Sequence, residues 1–280
     1  MEYVTLSNGV KMPRLGYGVY QVSNEECERC VRDAISVGYR AIDTAQSYHN
    51  EDAVGAAVAA SGVPRSELFL TTKIWISNGG YEKAKASIDQ SLKNLRSDYV
   101  DLLLIHQPFN DYYGTWRAME EAYKAGKARA IGVSNFYPDR LIDLCRFVEI
   151  KPMVNQVETH VFNQQRQAHE IMVKYGVLHE SWGAFAEGRK DFFTNPVLVE
   201  IGRKHGKSSA QAALRYLLQR DVVVIPKSAH KERMIQNLDV FDFALDDQDM
   251  AAIEALDEGQ SLFFSHYDPA TVEMITGLVR

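Results

Sequence analysis

Short apolar runs alternate with longer amphipathic stretches from about residue 15 to beyond residue 225. The apolar runs predict strands at Leu15–Gly18, Ala41–Ile42, Leu68–Thr72, Val100–Ile105, Ala128–Val133, Met153–Val157, Val177–Ser181 and Val222–Ile225. Between them the apolar positions recur with helical spacing, at Glu51–Ser61, Tyr81–Leu95, Tyr113–Ala125, Asp139–Val148 and Gln164–Tyr175. Two further helices, Val197–His205 and Ala210–Gln219, fill the longer interval before the eighth strand. Asp246–Leu256 follows it with acids in its first turn, as the helix dipole favours. Strand and helix units repeated eight times in this order predict an α/β fold, a (β/α)8 TIM barrel. No Pro, Gly or Ser-rich linker interrupts the pattern, so one domain over residues 1–280 is expected. Ahead of the first strand, Tyr3–Leu6 and Val10–Met12 flank Ser7-Asn8-Gly9, and Asn-Gly between β-like runs signals a hairpin. Such a hairpin would cap the bottom of the barrel.

Composition narrows the function more than the fold. A chain of 280 residues, 46% hydrophobic and 24% charged, can bury a sizeable core. Its formal charge of −6 argues against nucleic acid or an anionic membrane as a general partner. The opening Met1-Glu-Tyr-Val-Thr-Leu-Ser-Asn-Gly9 lacks the basic start and apolar core of a secretion signal, so a cytoplasmic location is expected, with the chain a monomer. Three cysteines make no disulfide framework, and Cys27 and Cys30 sit in a charged helical stretch without a second ligand pair, so no metal is expected.

The candidate chemistry lies where the strands end. Asp43, Tyr48, Lys73 and His106 follow the second, third and fourth apolar runs, which gathers an acid, a phenol, an amine and an imidazole at one end of a parallel sheet. Gly16-Tyr17-Gly18 is too short for a dinucleotide-binding glycine loop, and no G-x-G-x-x-G follows any strand, which disfavours a Rossmann site.

Gly38-Tyr-Arg-Ala-Ile-Asp-Thr-Ala-Gln-Ser-Tyr-His-Asn-Glu51, with Thr72-Lys-Ile-Trp75, Leu103-Leu-Ile-His-Gln-Pro108, Ile131-Gly-Val-Ser-Asn-Phe136, Asn155-Gln156 and Ile225-Pro-Lys-Ser228, resembles the aldo-keto reductases in the family's order. The tail Phe264-Ser-His-Tyr-Asp-Pro269 is similar to the prokaryotic-type members related to 2,5-diketogluconate reductases. The resemblance implies NADPH-dependent reduction of aldehydes and ketones to alcohols by hydride transfer. Tyr48 would donate the proton, Lys73 and Asp43 would tune it, and His106 would orient the carbonyl. A free phenol holds its proton to about pH 10 and yields it more readily beside a cation, which suits this assignment.

The resemblance also implies a dinucleotide stretched across the barrel mouth. Ser134, Asn135 and Gln156 would meet the nicotinamide carboxamide, Trp182 would stack on the ring, and Gly18, Val19, Tyr20 and Asp43 would complete that end. Gly183 and Phe185 would lie toward the pyrophosphate. Lys227, Ser228 and Arg233 would hold an adenosine 2′-phosphate, favouring NADPH over NADH, with Gln236 and Asn237 at the adenine. Tyr20, Trp75, His106, Gln107 and Phe109 would wall the small-molecule carbonyl substrate. Two departures stand out. Trp182-Gly183-Ala184-Phe185 replaces the common W/Y-S-P-L, removing a hydroxyl and a stiffening proline, and Gln107 stands where many mammalian members have tryptophan. The alternative reading is a non-catalytic NADPH-binding regulatory subunit on the same fold.

Overall fold

The computed structural model describes residues 1–278. Strands β1 (Tyr3–Thr5) and β2 (Lys11–Pro13) pair antiparallel as the expected hairpin. Eight parallel strands follow: β3 (Tyr17–Gly18), β4 (Ala41–Asp43), β5 (Phe69–Ile74), β6 (Val100–Ile105), β7 (Ala128–Ser134), β8 (Val154–Glu158), β9 (Leu178–Trp182) and β10 (Val223–Val224). They pair in chain order, and the sheet closes where Leu15 bridges Val224 and Gly16 N–H donates to the Val224 carbonyl at 2.8 Å. The hairpin's Met12 is buried beside Ile42 and Val223, plugging the bottom of the barrel.

Helices α1 (Asn24–Ser36), α2 (Glu51–Ala60), α3 (Tyr81–Asn94), α4 (Tyr112–Lys124), α5 (Pro138–Phe147), α6 (Arg166–Tyr175), α7 (Pro196–Lys204), α8 (Ser209–Gln219), α9 (Lys231–Leu238), α10 (Asp247–Glu254) and α11 (Pro269–Gly277) are distributed along the chain after the strands. Their ends follow local chemistry. Ser208 and Gln211 form a capping box at α8, Asp246 and Asp249 one at α10, and Gly176 ends α6 in the left-handed region. Among the described residues no helix is long and apolar enough to cross a membrane. Cys27 and Cys30 are free and buried on α1.

Three differences from the sequence reading have physical causes. β5 runs two residues past the expected Thr72, because Lys73 and Ile74 pair with Leu104 and Ile105 on β6. Lys73 therefore lies within the strand rather than beyond it. Helix α6 starts at Arg166, not Gln164, since Gln165 adopts a left-handed φ of 51° and the Gln164 side chain turns back to the carbonyls of Val161 and Ile253. The apolar pattern also gave no warning of α11, whose start is set by Asp268 accepting from the Ala270 and Thr271 N–H groups.

A charge inside the run Val100–Ile105 is explained at the other end of the barrel. Asp101 is fully buried and receives Arg65 and Arg129, each at 2.8 Å, and the Leu70 N–H at 2.9 Å. Close approach of neighbouring strands also constrains Gly132 on β7, where a Cβ would stand 2.5 Å from the Val154 carbonyl oxygen of β8. Gly132→Ala should therefore cost about 2 kcal/mol through forced backbone displacement, read as a lower midpoint in thermal or urea denaturation.

Candidate active site

The site begins with an ion pair inside the barrel. Asp43 ends β4 and Lys73 lies near the end of β5, both buried. Lys73 Nζ donates to Asp43 Oδ1 at 2.5 Å, to the Thr44 carbonyl at 3.0 Å and to the Tyr48 hydroxyl at 3.3 Å. Three partners use all three ammonium donors. Burial alone would depress the lysine, but Asp43 and then Tyr48 outweigh it and hold its pKa above the usual value.

Tyr48 closes a short 3-10 turn, Gln46–Tyr48, and His49 beyond it adopts a left-handed φ of 56°. The turn is pinned from behind by Gln46, whose Oε1 accepts from Trp75 N and Asn78 Nδ2, each at 2.9 Å, while its Nε2 donates to Ser91 Oγ at 3.0 Å. Asn50 ties the same loop to the first barrel strand, accepting from Thr44 Oγ1 at 2.7 Å and donating to the Val19 carbonyl at 3.1 Å. Burial raises the Tyr48 pKa, Lys73 pulls it back and Asp43 adds to the rise, so it stands above the usual phenol value. The phenol therefore keeps its proton at neutral pH.

His106 follows β6 directly, its N–H continuing the ladder to the Ile74 carbonyl at 3.1 Å. Its ring stands edge-on to Tyr48 at 5.6 Å and to Trp75 at 5.1 Å, with Nδ1 3.3 Å from Ser47 Oγ. Burial first, and then the Lys73 charge, hold its pKa well below 6.5, so the imidazole is neutral. Tyr20, about half exposed, lies over Tyr48 with ring centroids 5.0 Å apart.

Across the barrel, Ser134 and Gln156 lie side by side in register, as do Gln156 and Glu180. Ser134 Oγ donates to the Gln156 carbonyl at 2.8 Å, and Asn135 Nδ2 donates to the His106 carbonyl at 3.0 Å. Trp182 Nε1 donates to Asn135 Oδ1 at 2.9 Å. Gln156 Nε2 spans the lumen, donating to Asp43 Oδ2 at 2.9 Å and to Glu180 Oε2 at 3.0 Å. Gly18 comes so close to the returning chain that a Cβ would meet the Ile225 carbonyl oxygen at 2.9 Å, and Val19 is buried with its N–H on the Asp43 carbonyl.

The other expected residues distribute as follows. Lys227 and Ser228 follow β10, while Arg233, Gln236 and Asn237 lie on α9; Lys227, Arg233 and Gln236 are exposed and Ser228 and Asn237 buried. Buried tyrosines hold this region from below, Tyr17 donating to the Ser228 carbonyl at 2.6 Å and Tyr39 to the Met234 carbonyl at 3.1 Å. At Gly183-Ala184-Phe185 the turn takes Gly183 to a φ of 68°, closes with Ala186 N–H on the Gly183 carbonyl at 2.6 Å, and packs Phe185 against Phe192 and Phe193. Gln107 is buried, with Oε1 2.6 Å from His266 Nε2, and Phe109 lies against the same His266 ring at 5.5 Å.

Several residues of the site were missed by sequence reasoning. Thr44, Ser47 and Asn50 act through hydrogen bonds that no periodicity signals. The tail from Leu262 to His266 covers the mouth, with Phe264 stacked on one face of Trp182 at 5.8 Å and Phe263 at 5.3 Å. Glu180 did carry a signal, an acid within the apolar run Val177–Ser181.

The sequence profile of the Aldo/keto reductase family matches residues 6–258. The chain belongs to this family of carbonyl-reducing oxidoreductases. It is 48% identical over 261 residues to a glyoxal reductase of Bacillus subtilis (strain 168), covering 92% of this chain and 94% of that protein. It matches the crystal structure of a putative 2,5-diketo-D-gluconic acid reductase B with a TM-score of 0.91 at 39% identity, over 95% of each chain. A Bombyx mori aldo-keto reductase solved in complex with NADP superposes with a TM-score of 0.90 at 32% identity, over 97% of this chain and 96% of that one.

Two outcomes follow from the charges. Lys73→Met leaves Asp43 buried without its cation and should destabilise the protein by about 3 kcal/mol in urea denaturation, partly recovered by adding Asp43→Asn. Because folding lowers the His106 pKa, the unfolded chain takes up a proton below 6.5 that the folded one refuses. Stability should accordingly fall as pH drops below 6.5, and His106→Asn should flatten part of that fall when denaturation midpoints at pH 7 and pH 5 are compared.

Proposed function

We propose that this chain reduces aldehydes and ketones with NADPH, and that Tyr48 delivers the proton to the carbonyl oxygen. The observation that carries the reading is the half-buried Tyr48, its hydroxyl 3.3 Å from the fully buried Lys73 Nζ, beside a neutral His106. A proton donor must keep its proton until the reaction and release it into a stabilised anion. Burial secures the first condition, and the ammonium, fixed by Asp43, supplies the second. The neutral imidazole can donate a hydrogen bond to the substrate oxygen, orienting it toward the phenol. Aromatic Tyr20 and Trp75 would wall the substrate and exclude water, which suits small carbonyl compounds without defining one.

The residues facing the mouth fit a nicotinamide dinucleotide by their chemistry. Ser134, Asn135 and Gln156 offer hydroxyl and amide groups of the kind a carboxamide pairs with. Both N–H bonds of the Gln156 amide are already taken by Asp43 and Glu180, so its Oε1 is the atom left to accept from a ligand N–H. Trp182, with one face on Phe264, offers a ring surface, and Gly18, Val19 and Asp43 would border the same end. At the far end Lys227 and Arg233 form no ion pair among the described residues, which leaves their charges for a phosphate, with Ser228, Gln236 and Asn237 beside them. Gly183 and Phe185 would flank the bridging phosphates. When bound, NADPH supplies the hydride. A regulatory subunit without turnover would gain nothing from burying an ammonium and a carboxylate together beside a phenol at the cost of desolvating them.

Tyr48→Phe should lower carbonyl reduction by about 100-fold or more, followed as loss of NADPH absorbance with an aldehyde panel, while NADPH affinity by fluorescence titration stays within about twofold. A variant retaining most of its rate would assign the proton to another group. Arg233→Ala should weaken NADPH by about tenfold and leave NADH little changed. Equal losses for the two would remove the 2′-phosphate assignment.

A further inference from the structure

Glu180 lies on β9 opposite Gln156 of β8, buried at 1% exposure, and takes no part in the reaction described above. Its hydrogen-bond partner is the Gln156 amide, whose other N–H reaches Asp43 Oδ2. Facing it are Asp43 from β4 and Lys73 from β5, while its register neighbour on β10 is the uncharged Val223. Lys73 has no donor to spare, since Asp43, Thr44 and Tyr48 use all three. The pocket that Glu180 shares with Met12, Ile42, Val223 and Ile225 has no room for a water molecule. Two carboxylates here would therefore share one ammonium, with the second charge solvated by a single amide.

We propose that Glu180 is a positioning residue for carbonyl reduction: a buried acid that carries its proton at neutral pH and, through the Gln156 amide, sets where Asp43 stands against Lys73 and Tyr48. The role rests on Tyr48 being the proton donor. Burial first and the Asp43 charge second push the Glu180 carboxyl up to about 8, in keeping with the geometry. While neutral, it leaves the ammonium's field directed at Asp43 and the phenol. Once it releases its proton to solvent, a second negative charge acts on Lys73, the phenolate loses stabilisation, and Tyr48 becomes a weaker acid. Reduction slows on the alkaline side. Stability follows the same group with the sign of a raised acid. The folded chain keeps a proton that the unfolded chain loses above 4.5, so stability declines between 4.5 and about 8.

The direct test needs only the unaltered chain, labelled with carbon-13 at its glutamate carboxyls. One carboxyl resonance should titrate with a midpoint near 8, and it should be missing in Glu180→Gln. In kinetics, Glu180→Gln keeps a neutral acceptor for Gln156, so it should retain about tenfold more kcat at pH 7 than Glu180→Ala. Its alkaline fall in kcat should move up by about one pH unit or more relative to the parent. Its melting temperature should exceed the parent's at pH 8, with the gap narrowing toward pH 5. All glutamates titrating below pH 6, or parent and Glu180→Gln sharing one pH profile in an active enzyme, would overturn the proposal. A carboxyl titrating near 8 in a chain that reduces no carbonyl would instead sink the reductase reading and leave the protonated acid standing.

Discussion

Everything at the mouth of this barrel depends on holding one ammonium in a place without water. Lys73 is wholly buried, and a lone cation there would lose several kcal/mol of solvation and shed its proton. Asp43 prevents this at 2.5 Å, the Thr44 carbonyl supports it, and the remaining donor is left for the Tyr48 hydroxyl. The charge thereby acts in two directions. It pulls the Tyr48 pKa back against the rise that desolvation causes, and it adds to the burial that keeps His106 neutral. The proposed chemistry and the stability would share the same pair, so removing either member is expected to disturb both.

The pair in turn depends on closure of the barrel. Asp43 and Gln156 lie on opposite walls, and Gln156 reaches across the lumen to the carboxylate that fixes Lys73. An open sheet could not bring these two side chains to 2.9 Å. The same amide also reaches Glu180, so the residues proposed to face the cofactor and those proposed to supply the proton are joined through one side chain. Glycines make the closure tight at Gly18 and Gly132, where any side chain would strike a neighbouring carbonyl.

The outer parts of the site are held by packing rather than charge. Phe263, Phe264 and His266 from the tail lie on Trp182, Phe109 and Gln107, and burial drops the His266 pKa to about 4, so it too is neutral. Gln107, expected to help wall the substrate, has its oxygen engaged by His266. The Gly183-Ala184-Phe185 turn, read from its missing proline as less stiff than in relatives, is closed by a backbone hydrogen bond and anchored where Phe185 packs on Phe192 and Phe193.

The eight strands, the hairpin and most helices were legible because they follow from periodicity and turn chemistry, which are local. Asp43, Tyr48, Lys73 and His106 were legible because strand ends in such a barrel converge. Where a residue's meaning lies in a partner far along the chain, the linear pattern was silent or misleading. Lys73 looked like a residue beyond its strand until Asp43 explained its burial, and Glu180 looked like an acid in an apolar run. Its partner Gln156 is 24 residues away, and Asp43 is a further 113 from Gln156. The sequence by itself determined which groups stand at the barrel mouth; only the tertiary structure decided their protonation. Protonation is set by desolvation and by the number of charges sharing one ammonium, and both come into being only when the barrel closes.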